Sequence, residues 1–500
     1  MPKWNDGRFM DNEVDGKKVL TGVFWKFSER IVAKVVELVI SLILARVLAP
    51  NDYGLVAMVL VFISLADVFV TSGFSTSLIQ KKDANEVDYS TMFFCSFFCS
   101  CIIYFIIYML APTIAKFYNE DDLCLIIRVF AFRIPISAYN SIQHAYVSRN
   151  MLFKLFFWST LSGTIISGIM GVAMAYMGFG VWSLIAQYFV NTIVDTIVLA
   201  CTLKWHVKFI FSLKSAKSLM KYGWKILLAD LSGTFFGQLR NLIIGKVYTK
   251  TDLAFYNKGQ QFPELIYTNL SSSIMSVLFP AMSNFSNDID KVRYITQKSM
   301  QALVYTVVPI MLGMAAVAKP LIRIILTNKW LGAVPYLQIL CIDYSIATMG
   351  VAQFQALKAI GRSDVVLKLE IIKKPVFVLL LIIGVKIDVL AVAITMTIYE
   401  LYGVIVNCMQ AQKYIGYKIK NQFLDNIWYI VIALVMTVVV YVIEIGQNDI
   451  VNLIVKILTG ILTYLGLSKL FHIDMLQKII HMIRKIGKEK INGSDSFFKK

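Results

Sequence analysis

Histidine is scarce in this chain, with four residues in 500 (His144, His206, His472 and His481) at spacings that fit no metal-ligand pattern. The seven cysteines (Cys95, Cys99, Cys101, Cys124, Cys201, Cys341 and Cys408) form no CxxC pair and fall in or beside apolar runs. That excludes a disulfide framework and a zinc ribbon, and leaves an expectation of free thiols and no metal. No GxSxG elbow and no GxxxxGK[ST] phosphate loop occurs, so no cofactor is expected. Charge is also sparse, at 16% of residues against about 25% in an average soluble domain. The opening MPKWNDGRFMDNEVDGKKVL has no apolar run and no small-residue cleavage site, so a signal peptide is not expected.

What the chain does have is apolar surface: 58% hydrophobic residues and a mean hydropathy of +0.68 exceed what a water-facing exterior can carry. Runs of about 18 to 25 mostly apolar residues recur from residue 23 to residue 471, each long enough to cross a hydrocarbon core of about 30 Å as a helix. About fourteen such spans are expected, in an all-α membrane protein. The net charge of +18 and pI near 9.4 could suggest a nucleic-acid partner. The Lys and Arg sit between apolar runs instead of on one patch, so the bilayer is the expected partner and nucleic acid is not. Counting from a cytoplasmic N-terminus, the inner connections hold roughly 32 basic residues, whereas the outer ones hold Lys116, Lys250, Lys258, Lys319, Arg323, Lys329 and Lys386. Both termini are therefore expected inside the cytoplasmic membrane, with an even number of spans.

The expected organisation is a cytoplasmic segment (1–22), a six-helix bundle (23–203), a basic cytoplasmic linker (204–222) and a second six-helix bundle (223–411). Two additional helices (412–471) and a basic tail (472–500) follow. The linker KWHVKFIFSLKSAKSLMKY interleaves Lys with apolar residues, as a segment lying on an anionic inner leaflet does. At an offset of about 200, LARVLAPNDYGLVA aligns with IGKVYTKTDLAFYN, matching Arg46 to Lys246 and Asp52 to Asp252. Six helices between repeats restore orientation, so two pseudo-symmetric bundles around a central cavity are expected.

The first span, FWKFSERIVAKVVELVISLILAR, places Lys26, Arg30, Lys34, Glu37 and Ser41 within about 80° of one another on the helix surface. A charge facing lipid near mid-bilayer costs at least about 2.5 to 3.5 kcal/mol. The stripe therefore faces a wet cavity, or Lys26 and Arg30 snorkel to the interface while Glu37 pairs with Lys34. The seventh span puts Asp230, Thr234, Gln238 and Asn241 on one face, with Arg240 about 80° away. Asp67 and Asp230 are candidates for binding a coupling proton or sodium ion, each also readable as a structural partner of a basic residue. Arg128, Arg133, Asn140 and Gln143 fall in the fourth span, and Gln187, Asn191 and Asp195 recur every four residues in the sixth. Ser159, Gly163, Ser167 and Gly171 form a small-residue stripe suited to close helix packing. No outer connection exceeds about 15 residues, too short for the catalytic loop of a polytopic glycosyltransferase, so an enzyme is not expected.

Eight stretches in order carry a family resemblance: LARVLAPNDYGLVAM, SGFSTSLIQKKDANEVDYSTMFF, APTIAKFY, HAYVSRNMLFK, GFGVWSLIAQ, YGWKILLADL, LIIGKVYTKTDLAFYNKGQQFPELI and VLFPAMSNFSND. Together they resemble the polysaccharide-transport branch of the multidrug/oligosaccharidyl-lipid/polysaccharide exporter superfamily, the flippases for O-antigen, exopolysaccharide or teichuronic acid units. The resemblance implies two six-helix bundles with two extra helices and alternating access. It also implies an undecaprenyl-diphosphate-linked oligosaccharide as cargo, with a polysaccharide polymerase and glycosyltransferases as partners. A diphosphate needs cations, for which Arg30, Lys34, Lys26, Arg128, Arg133 and Arg240 are candidates. Sugar hydroxyls need polar cavity walls, for which Glu37, Ser41, Asn191, Gln238, Asn241 and Tyr267 are candidates. Two rivals remain: a drug exporter of the same superfamily, disfavoured by the basic first helix, and a non-transporting scaffold of a polysaccharide assembly complex.

Overall fold

The computed structural model describes residues 16–81, 83–444 and 448–477, with side chains at Trp25 and from Val32 onward. Regular structure among the described residues is entirely helical. The helices are α1 (Gly16–Val47), α2 (Pro50–Gln80), α3 (Glu86–Tyr118), α4 (Asp122–Ala131), α5 (Arg133–Arg149), α6 (Phe153–Tyr176), α7 (Val181–Thr202) and α8 (Leu213–Val247). They continue as α9 (Lys250–Asn284), α10 (Ile289–Ala316), α11 (Ala318–Leu326), a 3₁₀ turn (Asn328–Ala333), α12 (Val334–Ala359) and α13 (Ser363–Val385). The last three are α14 (Val389–Ile415), α15 (Ile419–Val442) and α16 (Asp449–Leu470). Among the described residues, ten helices are long and apolar enough to cross a membrane. Because lipid tails are as apolar as leucine, helices in such a protein associate through close packing and polar contacts more than through the hydrophobic effect.

The helix ends follow local chemistry. Asn85 and Asp88 form a reciprocal capping box at the start of α3, each side chain accepting from the other's backbone N–H at 3.0 Å. Asn119 closes α3 in the left-handed conformation at φ 57°. The fourth apolar run departs from the single span expected for 123–143: it breaks at Phe132 into α4 and α5. Pro135 stands in the first turn of α5, where its missing N–H costs nothing, and its ring would clash with the Ala131 carbonyl if the helix ran on.

The chain divides into two compact units, one ending at Ala254 and one beginning at Phe255. Unit 1 contains α8, which packs along α2. A Cβ added at Gly223 of α8 would lie 2.3 Å from the carbonyl oxygen of Gly73 in α2, so these backbones approach as only glycine permits. Residues 204–222 do not form one surface strip. Trp205 is buried with Phe74, Leu78 and Tyr89, the Lys208 and Ser212 amides donate to the Ser90 and Thr91 hydroxyls, and α8 begins at Leu213 behind the cap Ser212. The small-residue stripe of α6 receives α7: a Cβ at Gly171 would meet the Gln187 Cβ at 3.1 Å, and one at Gly163 would meet the Asn191 carbonyl at 3.2 Å.

The two stretches aligned at the offset of 200 adopt the same turn. α1 stops at Val47 and α2 starts at Pro50, while α8 stops at Val247 and α9 starts at Lys250. In each, an aspartate in the first helical turn accepts from the backbone amide that precedes it: Asp52 from Ala49 at 3.1 Å, and Asp252 from Thr249 at 3.2 Å. The Thr251 hydroxyl bonds the Asn51 side chain, so equivalent positions of the two turns meet.

Unit 2 is built on α10, α12, α14 and α15. At its centre the fully buried Gln353 donates to Gln422 Oε1 at 3.1 Å, linking α12 to α15. Arg323 reaches Asp449 at 3.1 Å and ties α11 to α16.

Candidate functional site

Two helix faces in unit 1 carry polar residues at helical spacing. Asp67, Thr71, Ser75 and Ile79 repeat every four residues along α2, and Arg133, Ser137, Asn140, His144 and Ser148 follow one face of α5. With Phe156 of α6 and Thr192 of α7 they line a cavity of about 490 Å³. Arg133, the first residue of α5 after the turn at Phe132, reaches α2, where its guanidinium bonds Asp67 Oδ2. Two turns further along α5, Asn140 Nδ2 donates to Asp195 Oδ2 at 2.8 Å, and His144 Nε2 lies 2.7 Å from the same oxygen. Two carboxylates, a guanidinium and an imidazole thus meet among α2, α5 and α7, of which α2 and α7 are long and apolar enough to cross a membrane. A buried charge persists there only when paired and hydrogen-bonded.

The pairing is incomplete. Asp67 Oδ1 and Arg133 Nε are both buried with no hydrogen-bond partner. Asp67 and Arg133, which the sequence offered for ion coupling and for the diphosphate respectively, are brought together. His144 and Ser137 were missed, because His144 was weighed only as a metal ligand; the four-residue recurrence along α5 is the signal that marks them.

The other candidates are dispersed. Lys34 and Glu37 pair at 2.7 Å with each side chain 55% exposed, and Ser41 accepts from the Tyr53 hydroxyl through its carbonyl at 3.5 Å. The side chains of Lys26 and Arg30 lie outside the described residues. Arg128 stacks on Tyr108, 4.4 Å from the ring centroid. Asn191 sits between α6 and α7, with Nδ2 3.5 Å from the Ser167 hydroxyl. On α8, Asn241 donates to Gln238 at 3.0 Å, Arg240 is half-buried and Asp230 is exposed.

Unit 2 holds a second polar cluster. Lys373 of α13, counted in the sequence among inner-connection cations, is buried and donates to Asn407 Oδ1 of α14 at 2.9 Å. Glu370 and Glu400 act on its charge electrostatically. Tyr267 stacks with Tyr344 at 5.0 Å in the same unit. Among the described residues no group of three or more His, Cys, Asp or Glu is placed to hold a metal ion.

Comparison with known proteins places this geometry. The family described as polysaccharide biosynthesis protein matches residues 43–335, which contain every residue lining the unit 1 cavity. The succinoglycan biosynthesis transport protein ExoT of Rhizobium meliloti (strain 1021) is 23% identical over 357 residues, 71% of this chain and 72% of its own. The lipopolysaccharide biosynthesis protein WzxC of Escherichia coli (strain K12) is 22% identical over 370 residues, 74% of this chain and 75% of its own. The teichuronic acid biosynthesis protein TuaB of Bacillus subtilis (strain 168) is 23% identical over 357 residues, 70% of this chain and 72% of its own. In fold the chain is similar to the lipid II flippase MurJ in an inward closed conformation, with a TM-score of 0.75 at 17% identity, covering 91% of this chain and 100% of that one. It is also similar to an inward-facing multidrug-resistance transporter of the MATE family, with a TM-score of 0.59 at 13% identity, covering 77% of this chain and 94% of that one.

Proposed function

Because the chain belongs to the polysaccharide biosynthesis protein family, we propose that it is a flippase that moves oligosaccharides linked to undecaprenyl diphosphate across the bacterial cytoplasmic membrane for assembly outside. The observation that carries this reading is the unit 1 cavity: paired charges and hydroxyls lined by α2, α5, α6 and α7, in a chain whose relatives include a named succinoglycan transport protein. A helical membrane protein serving only as a scaffold has no need to bring Asp67, Arg133, Asp195 and His144 together around open volume.

The finer picture is fourteen spans in two pseudo-symmetric sets of six plus two additional helices, with both termini cytoplasmic and transport by alternating access. Its divisions are those read from the sequence, 23–203, 223–411 and 412–471, joined by the basic segment 204–222. Lys26, Arg30 and Lys34 on the first helix meet the lipid diphosphate, with Arg30 and Lys34 the principal contacts. A proton or sodium ion supplies the driving force through Asp67 or Asp230, and a polymerase and glycosyltransferases work on the same cargo. The test is surface polysaccharide in a strain whose own copy is deleted and replaced by Arg30→Gln/Lys34→Gln. The reading requires export to fall to the level of the deletion strain while the protein is present in the membrane at normal amount. Full export at normal protein amount would remove the first helix from the mechanism.

A further inference from the structure

Residues 204–225 hold six lysines and no Asp or Glu. They follow the end of α7 and pack where α2 ends and α3 begins, and all three of these helices are long and apolar enough to cross a membrane. Both ends of the connection are fastened there. Trp205 is buried against Phe74, Leu78 and Tyr89, the Lys208 and Ser212 amides donate to the Ser90 and Thr91 hydroxyls, and the Ser215 hydroxyl donates to Asp88. Between these anchors the chain turns its apolar side chains outward. Phe209 is 96% exposed and Leu213 78%, with Ile210 and Phe211 exposed between them. An outward-facing apolar patch of this kind, rimmed by polar residues, marks a surface that meets a membrane or a partner.

The start of α8 continues the pattern. At 100° per residue, Lys214, Lys217, Lys221 and Lys225 fall within about 80° of one another, opposite the buried face of Ser215, Ala216, Leu219 and Gly223. Leu213, Met220 and Trp224 run along one flank of the lysines, all exposed. Lys208 pairs with Glu86, but among the described residues Lys204 and the four lysines of α8 make no ion pair. The 35 residues of α8 span about 52 Å against a hydrocarbon core of about 30 Å. The excess of about 20 Å matches the length of residues 213–225, which bear the lysines.

We propose that this end of unit 1 docks on an anionic lipid leaflet, with residues 209–211 among the upper acyl chains and the α8 lysines on lipid phosphates. The inference needs the membrane fold and not the transport activity. Lysine stems lie along apolar surface while their ammonium groups reach the headgroups, and Trp224 and Tyr222 suit the interface between the two. An acidic protein would meet the lysines, but lipid headgroups already surround the ends of α2, α3 and α7, and they cover the apolar tip as well.

The experiment places a benzophenone amino acid at position 209 of the full-length chain, reconstituted in vesicles of phosphatidylcholine with an equal part of phosphatidylglycerol. After illumination the adducts are identified by mass spectrometry. The same group at Leu462 of α16, 72% exposed on a helix apolar enough to cross a membrane, reports contact with lipid that has no basic neighbours of this kind. The expected result is lipid adducts at both positions, with phosphatidylglycerol in excess of its share at 209 and not at 462. Lys214→Gln/Lys217→Gln/Lys221→Gln should remove that excess, each single change lowering it by up to about fivefold. Raising the salt to about 1 M shortens the screening length to about 3 Å and should erase the preference without any substitution, which guards against a folding artefact. Adducts at 209 only with protein, no adducts there, a phosphatidylglycerol share no greater than at 462, or an excess that both salt and the triple variant leave intact overturns the proposal.

Discussion

In unit 1 the half-buried guanidinium of Arg133 meets a carboxylate from another helix, and His144 meets Asp195. In unit 2 the buried ammonium of Lys373 meets the neutral amide of Asn407, with Glu370 and Glu400 acting from beyond hydrogen-bond distance. Both arrangements keep a cation inside a helical membrane protein, but they respond differently to loss of a partner. Removing one member of a hydrogen-bonded ion pair strands an opposite charge in direct contact, whereas removing Lys373 strands the Asn407 amide, relieves the ammonium of its desolvation and takes only a more distant cation from Glu370 and Glu400. The open volume lies beside the ion pairs of unit 1.

The largest effect is therefore expected from Arg133→Met, which leaves Asp67 uncompensated and should cost about 3 to 5 kcal/mol, read as loss of monodisperse protein on heating in detergent. The double variant Asp67→Asn/Arg133→Gln should recover most of that stability without restoring export. If Arg133→Met costs no more than Lys373→Met, the contrast between the units fails. Lys373→Met should cost about 1 to 3 kcal/mol by the same assay, through the stranded Asn407 oxygen.

Glycine contacts sharpen the comparison on a smaller scale. Gly223→Ala in unit 1 drives a methyl against a backbone oxygen and should cost about 1 to 3 kcal/mol. Gly350→Ala in unit 2 meets the Asn407 amide and the Val404 side chain at 3.2 Å, and should cost less than Gly223→Ala in the same melt. The smallest stability effect belongs to Lys34→Met, whose ion pair with Glu37 is 55% exposed and is worth at most about 1 kcal/mol. Export should nevertheless fall about tenfold in that variant. An equal loss of stability and export would make Lys34 a structural residue.

The sequence announced what depends on neighbours along one helix. Apolar runs became helices, the recurrence Ser159, Gly163, Ser167, Gly171 became the seat of α7, and Asp52 and Asp252 became the same turn. What it concealed depends on contacts between distant segments. Asp67 and Arg133 were each visible as anomalies in apolar runs, yet 66 residues separate them and no periodicity links them. His144 was discounted because metal spacing was the only pattern sought, although Arg133, Ser137, Asn140 and His144 mark one helix face. Nothing in the apolar pattern marked the one-residue turn at Phe132, with Pro135 in the first turn after it, that separates α4 from α5. Lys373 looked like an inner-connection cation because its charge gives no hint that Asn407 shares its helix pair.

The most direct test reconstitutes the purified chain in proteoliposomes carrying a fluorescent undecaprenyl-diphosphate oligosaccharide in the inner leaflet, and follows its exposure to an external quencher. A flippase gives exposure well above that of empty liposomes, lost with Arg133→Met/Lys34→Met and undiminished by an excess of a cationic drug. Exposure no faster than in empty liposomes, with protein shown to be folded and inserted, would contradict the account.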